Sequence, residues 1–322
     1  MSRISIQFFG QFCVRRDEQL LGGFEAHKVQ ELFCYLLLHR QHSLSREFLA
    51  SLLWPDATTA QSKKRLRQAL WHLQSALGSQ NEPVHDRILL VEPDRVQIKA
   101  EADLWLDVTV FERAFGLVQG IPGQELDAQK VQILQNALHL YQDPFLRGCY
   151  SDWCLYERER LQNLYLALLD KLMDYYEVHH DYDAGLLYGM RLISCDRARE
   201  RTHRRLMRLH YLNGDRVAAL RQYEQCVAAL YEELEVKPSK STVALYKQIL
   251  TEQLVEPQPT LPPSEARRAL EVSASPQIEM LYHLTQLQTA LADLQNQVQQ
   301  SIQKVAQALN DNTQPLSPKP LR

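Results

Sequence analysis

From its first residues the chain alternates apolar and polar positions. Ile4-Ser5-Ile6-Gln7-Phe8 and the residues up to Val14 follow a two-residue period around Gly10, which predicts one or two short strands joined by a tight turn. Gly22-Gly23 interrupts the alternation, and from His27 the period lengthens. Val29, Leu32, Phe33, Leu36 and Leu37 share one stripe of a helix that stops near Arg40. Ser43 or Ser45 caps a second helix with Phe48, Leu49, Leu52 and Leu53 facing inward. Trp54-Pro55-Asp56 ends it, because proline disfavours helical geometry at the residue before it. Thr58 or Thr59 opens a third helix that runs to about Leu77, with Gly78 placed at its C-terminal cap. Two short apolar strands follow, Arg87 to Glu92 and Arg95 to Lys99, separated by Pro93-Asp94.

After Asp103 the pattern is nearly continuous helix to about Leu254. Breaks fall at Gly120-Ile121-Pro122-Gly123, Asp143-Pro144, Asn213-Gly214 and Lys237-Pro238-Ser239. Asp181-Tyr182-Asp183-Ala184 recurs 34 residues later as Asp215-Arg216-Val217-Ala218, and Leu186/Leu220 and Ile193/Val227 keep the same offset. That is the period of the tetratricopeptide (TPR) helix pair, with Ala184 and Ala218 as the small residues expected to let the helices approach. Five prolines between 256 and 276 mark a linker. Met280, Leu284, Leu287, Leu291, Leu294, Val298, Ser301, Val305 and Ala308 then advance in steps of four and three, the seam of a coiled coil.

The expected fold is mainly α with a small β component. A winged helix-turn-helix domain over residues 1–100 is followed by a TPR-like α-helical repeat domain over 101–254. A Pro-rich linker over 255–277 leads to a C-terminal coiled-coil helix over 278–312.

Composition removes several classes of function. Eleven glycines in 322 residues speak against glycine-lined cofactor folds, and no cofactor is expected. The longest apolar runs, such as Ile88 to Val91, are far too short for a membrane span. The N-terminus enters a strand pattern rather than an apolar signal core, so a cytoplasmic location is expected. Six cysteines without a C-x-x-C pair read as reduced, mostly buried small hydrophobes. His39/His42 and His179/His180 sit near helix ends without an accompanying cluster of thiols or carboxylates, and no metal site is expected. No nucleophile–base pairing or phosphate loop is present, so the chain reads as a non-enzyme.

The net charge of −3 speaks against nucleic acid only until it is divided. Residues 1–100 hold 13 Lys and Arg against 10 Asp and Glu, a balance of +3. Residues 101–255 stand at −5 and residues 256–322 at −1. The basic excess of the head gathers in the third helix. On a helical wheel Leu66, Ala69, Leu70, Leu73 and Leu77 form its core side. Gln61, Lys64, Arg67, Gln68, Trp71 and Ser75 fall opposite, with Lys63 and Arg65 on the shoulders. Cations suit phosphates, and the Gln and Arg forks suit base edges in a major groove. Such a helix taken alone is equally a solvated face. A three-helix core with its last helix basic and a hairpin after it is the winged-helix plan, which favours DNA. The arginines at 197, 199, 201, 204, 205 and 208 lie close to Asp181, Asp183, Asp196, Glu200 and Asp215, which predicts an ion-pair-laced surface rather than a second nucleic-acid site.

These segments resemble the SARP-type bacterial transcriptional regulators, an OmpR-like winged helix joined to a bacterial transcriptional activator domain (BTAD). The resemblance rests on Phe9 to Val14, Leu52-Leu53-Trp54-Pro55-Asp56 and Leu66 to Gly78 in the head. In the body it rests on Trp105-Leu106-Asp107-Val108 with Phe111, Tyr141 to Gly148, and Trp153 with Glu157-Arg158. Glu200 to Gly214, Ala218 to Glu224 and Leu234 to Ser239 complete it, so it spans about residues 4 to 253. Gln74 stands where many relatives have Arg, and Cys195-Asp196-Arg197 where they have a proline turn. There is no nucleotide-hydrolysing extension and no receiver-type acidic pattern.

The resemblance implies transcription control on double-stranded promoter DNA, with the third helix in the major groove and the hairpin as the wing. It also implies recruitment of RNA polymerase. The DNA-binding residues are expected to be Lys63, Lys64, Arg65, Arg67, Gln68, Trp71 and Arg95. The seam over 280–308 would make a homo-oligomer. A second reading makes the chain a TPR-like protein-interaction scaffold with a coiled-coil tail and no DNA binding.

Overall fold

The structure, a computed structural model, describes residues 3–78 and 88–253, so the linker and coiled-coil expectations lie outside the described residues. The chain opens with β1 (Ile4–Gln7) and β2 (Cys13–Arg16), antiparallel with Ile6 opposite Val14. A third strand, β3 (Gln19–Leu20), folds back onto β2 through Asp17 and Glu18, both at positive φ. Two consecutive left-handed residues match the right-handed twist of the strands they connect. Three helices follow: α1 (His27–Leu38), α2 (Arg46–Leu53) and α3 (Thr59–Ala76). Between α1 and α2 lies β4 (Leu44–Ser45), which pairs with the second strand of the hairpin β5 (Leu89–Val91) and β6 (Arg95–Ile98).

The helical body consists of α4 (Asp107–Val118), α5 (Ala128–Leu140), the long α6 (Asp152–Val178), α7 (Tyr182–Cys195), α8 (Glu200–Leu212), α9 (Arg216–Leu234) and α10 (Lys240–Leu250). A 3₁₀ turn at Gly123–Glu125 separates α4 from α5, in the expected Gly-Pro break. Asp181 caps α7 by accepting from the Ala184 N–H at 3.1 Å, and Asp215 caps α9 by accepting from Ala218 at 2.8 Å. The 34-residue repeat is therefore a repeated helix start. The small residues that let helices approach stand one position later than expected. Gly185, Gly189 and Ala219 are buried, while Ala184 and Ala218 are half-buried cap positions. A Cβ on Gly189 would come within 2.5 Å of the Leu206 side chain on α8, so a larger residue there would force that buried leucine to shift.

Three strands escape the sequence pattern. Two of them, β3 and β4, have only two residues each. The third, β7 (Leu104–Leu106), stands where helix was expected and joins β1 in parallel, Ile4 opposite Leu104 and Ile6 opposite Leu106. Segments of two or three residues are too short to show a period, and the partners of β4 and β7 are distant in sequence. The N-terminal sheet therefore runs β3-β2-β1-β7 and ends on a strand that leads straight into α4.

This sheet joins head and body into one compact unit with one continuous core, which extends from Ile4 to Leu209. Phe8 stacks on Phe145 at 5.6 Å, and Phe9 packs between Phe111 at 5.4 Å and Tyr141 at 4.7 Å. Buried Asp107 accepts from the backbone N–H groups of Phe8 at 2.8 Å and Phe9 at 3.0 Å while its other oxygen accepts from Val108 at 2.7 Å. Burial pushes its carboxyl up to about 6 against the pull of those N–H donors.

A shared core predicts shared unfolding. Phe145→Ala should cost about 3–5 kcal/mol and lower a single thermal transition seen equally by probes in head and body. Asp107→Asn turns an NH₂ toward backbone donors and should cost about 1–3 kcal/mol. Two separate melts, with only the body's shifting in Phe145→Ala, would contradict the shared core.

Candidate nucleic-acid interface

Helix α3 is held at both ends. Thr58 accepts from the Gln61 N–H at 3.4 Å and is the N-cap; of the two candidates for α2, Ser45 is the one used. At the other end Gly78 has φ +72° and donates to Ser75, and an Arg16 guanidinium from β2 donates to the Leu77 carbonyl at 2.6 Å. Five residues, 54–58, connect α2 to α3, with the Ala57 N–H bonded to the Trp54 carbonyl at 3.2 Å.

The inner side of α3 buries Ser62, Leu66, Ala69, Leu70 and Leu73. Its outer side presents Lys63, Lys64, Arg65, Arg67, Gln68 and Trp71, all exposed, as the wheel places them. Trp71 is 56% exposed and meets only the edge of His72 among ring partners. The helix carries no Asp or Glu. Among the described residues Lys64, Arg65 and Arg67 have no ion-pair partner, whereas Lys63 pairs with Glu47 on α2 at 2.9 Å. Arg65 faces the α2–α3 turn, beside Trp54 and Pro55.

The hairpin is tied to α2. Arg95 begins β6 opposite Ser45 and is exposed. The Arg46 N–H donates to the Asp94 carbonyl at 2.9 Å, and its guanidinium donates to the Glu92 carbonyl at 3.2 Å. The turn Pro93-Asp94 thereby flanks the depression between α2 and α3 that holds Lys63 and Arg67. Phe48 departs from expectation: it lies on the outer side of α2, 44% exposed, and of the four residues expected inward only Leu49 and Leu53 are buried. Eight residues are too few for the stripe to distinguish its edge from its centre.

Two further groups set how the head sits; sequence reasoning passed over Glu31 and met Arg158 only as part of the resemblance. Glu31 is a buried acid in α1 that pairs with Lys28 at 2.7 Å and accepts from Ser151 Oγ and from Trp153 Nε1, the latter at 3.1 Å. A single acid in an apolar stripe gives no sequence signal until its partners, some 120 residues away, are known. Arg158 of α6 donates to the carbonyls of Phe145, Leu146 and Cys149, closing the loop that receives Phe8. Three arginines of α8 are ion-paired, but mostly to α6 rather than to the nearby acids expected. Arg205 meets Asp170 at 2.7 Å, Asp174 at 2.5 Å and Glu177 at 3.2 Å, and Arg201 meets Asp170 at 3.9 Å. Only Arg204 meets one of the expected acids, Glu200, at 3.8 Å. Among the described residues, no three His, Cys, Asp or Glu are grouped to hold a metal ion, and no helix is long and apolar enough to cross a membrane.

A winged head carrying a cationic third helix, fused to a helical-repeat body, defines the class. Residues 106–250 match the family model of the bacterial transcriptional activator domain. Over the residues of that domain the chain is similar to the SARP-type transcriptional regulators. It is 25% identical over 226 residues to the transcriptional regulatory protein MoaR1 of Mycobacterium bovis (strain BCG / Pasteur 1173P2), covering 69% of this chain and 72% of that protein. The MoaR1 of Mycobacterium tuberculosis (strain ATCC 25618 / H37Rv) matches to the same extent. The fold is shared with Mycobacterium tuberculosis EmbR, solved in complex with a low-affinity phosphopeptide. That match has a TM-score of 0.59 and 17% identity, covering 80% of this chain and 67% of that one.

The two sides of α3 should separate under mutation. Leu70→Ala, on the buried side, should cost about 2–5 kcal/mol, while Trp71→Ala should stay within about 0.5 kcal/mol in denaturant unfolding. A large loss for Trp71→Ala would show that this ring is packed rather than displayed.

Proposed function

We propose that the protein is a sequence-specific transcriptional activator that binds double-stranded promoter DNA through α3 and the β5–β6 hairpin. The observation that carries this reading is the outer side of α3, where three cations without an ion-pair partner among the described residues stand with Gln68 and Trp71 on a helix that has no Asp or Glu of its own. Arg67 and Gln68, with Lys64, read base edges in the major groove, since both side-chain forks match donor and acceptor pairs there. Lys63, Arg65 and, from the hairpin, Arg95 contact phosphates. Trp71 packs against the groove wall.

Winged head and helical body are the two modules, divided near residue 100, and the body contacts RNA polymerase. The seam over 280–308 brings copies together, and the protein acts in the cytoplasm. Support for the wing comes from its attachment: Arg46 and β4 lock the hairpin to α2, so it approaches DNA together with α3.

Duplex binding measured across a salt series tests the reading. Lys64→Ala with Arg67→Ala should abolish preference for the selected site. Arg65→Ala or Arg95→Ala should weaken all duplexes alike and flatten the log–log salt slope by about one unit each. Unchanged affinity and slope in the Lys64/Arg67 double variant would refute the recognition-helix assignment. Truncation before Pro276 should reduce the particle mass in light scattering to that of one chain. Retention of the assembled mass would place oligomerisation elsewhere.

A further inference from the structure

The cationic side of α3 is interrupted at one place. Lys63 Nζ lies 2.9 Å from Glu47 Oε1 on α2, with both side chains largely in solvent, at 51% and 73% exposure. The carboxylate belongs to the first turn of α2, held there by the Ser45 cap and by Arg46, which binds the hairpin turn. Glu47 thus stands in the depression between α2, α3 and the turn, beside Ser45, Arg46, Lys63, Arg67 and Asp94. A phosphate entering that depression meets a cation already engaged and a negative charge beside it.

We propose that Glu47 is a specificity-determining residue for DNA. It occupies Lys63 in the free protein and repels phosphate, and it yields Lys63 only when the base-reading residues seat α3 deeply in a matching site. This inference rests on the DNA-binding reading above. The physical reasoning is a comparison of two weak terms. A solvent-exposed ion pair is worth little, so it is readily exchanged once other contacts hold the duplex in place. On an arbitrary duplex, where binding is almost wholly electrostatic, one withheld cation and one like charge are a large share of the interaction. Discrimination then comes partly from a repulsive element aimed at the wrong sequences. The close pairing also keeps Glu47 ionised, because the Lys63 ammonium holds its carboxyl below the usual range.

The test compares wild type, Glu47→Gln, Lys63→Gln and the double variant on two probes. One is a duplex selected by the wild-type protein from a random library, and the other is the same duplex scrambled. Glu47→Gln should tighten the scrambled duplex about fivefold to tenfold at ~0.1 M salt and steepen its salt slope by about one unit. The selected duplex should gain much less, so the ratio between probes narrows. In the Lys63→Gln background the substitution should lose most of its effect. Equal tightening on both probes, no tightening, or full tightening without Lys63 would each overturn the proposal. A wild-type protein with no salt-sensitive duplex binding would overturn the DNA-binding reading itself, and this inference with it. Both side chains are solvent-exposed, so the variants should melt with wild type.

Discussion

The carboxylate of Asp107 is the point on which the two halves of the molecule depend. It receives the backbone N–H groups of Phe8 and Phe9 at the end of β1 and that of Val108 at the start of α4. A buried carboxylate is costly unless its lone pairs are filled, and here the fillers are backbone donors that would themselves be costly to leave unmade. One side chain thereby settles both needs at the end of a strand and at the mouth of a helix. Around it Phe8, Phe9, Phe111, Tyr141 and Phe145 close a single aromatic cluster. The pairing of β1 with β7 extends that junction along the sheet.

One consequence is that the head does not hang from the body on a tether. Glu31 adds a second tie, since a buried acid of α1 is satisfied by Lys28 and by Ser151 and Trp153 at the start of α6. Two polar junctions and a continuous core leave α3 displayed at a set orientation to the helical repeats.

The helices divide their charge by function rather than by number. The arginines of α8 are as dense as the cations of α3, yet Arg201 and Arg205 meet carboxylates from α6, and Arg205 alone contacts three. On α3 only Lys63 finds such a partner among the described residues. Two helices with similar basic content therefore present very different electrostatic surfaces. Whole-chain charge, at −3, describes neither.

Much of this was legible in the sequence, for physical reasons. Helices α1 to α3 and the strands β1, β2, β5 and β6 declare themselves because each buries one side against a local partner, leaving a period in the residues. The recurrence of Asp181 at Asp215 was visible too, although its meaning as a repeated helix cap came only from the structure, and the Gly78 stop is equally local. The outer side of α3 followed from the same wheel that placed its core side. What only the tertiary structure decided has distant partners: β7 in the sheet, the filling of Asp107 and Glu31, and the pairing of Lys63 but not Lys64. In each the deciding neighbour lies far along the chain or on another helix, and a one-dimensional pattern records what a residue is without recording what it faces.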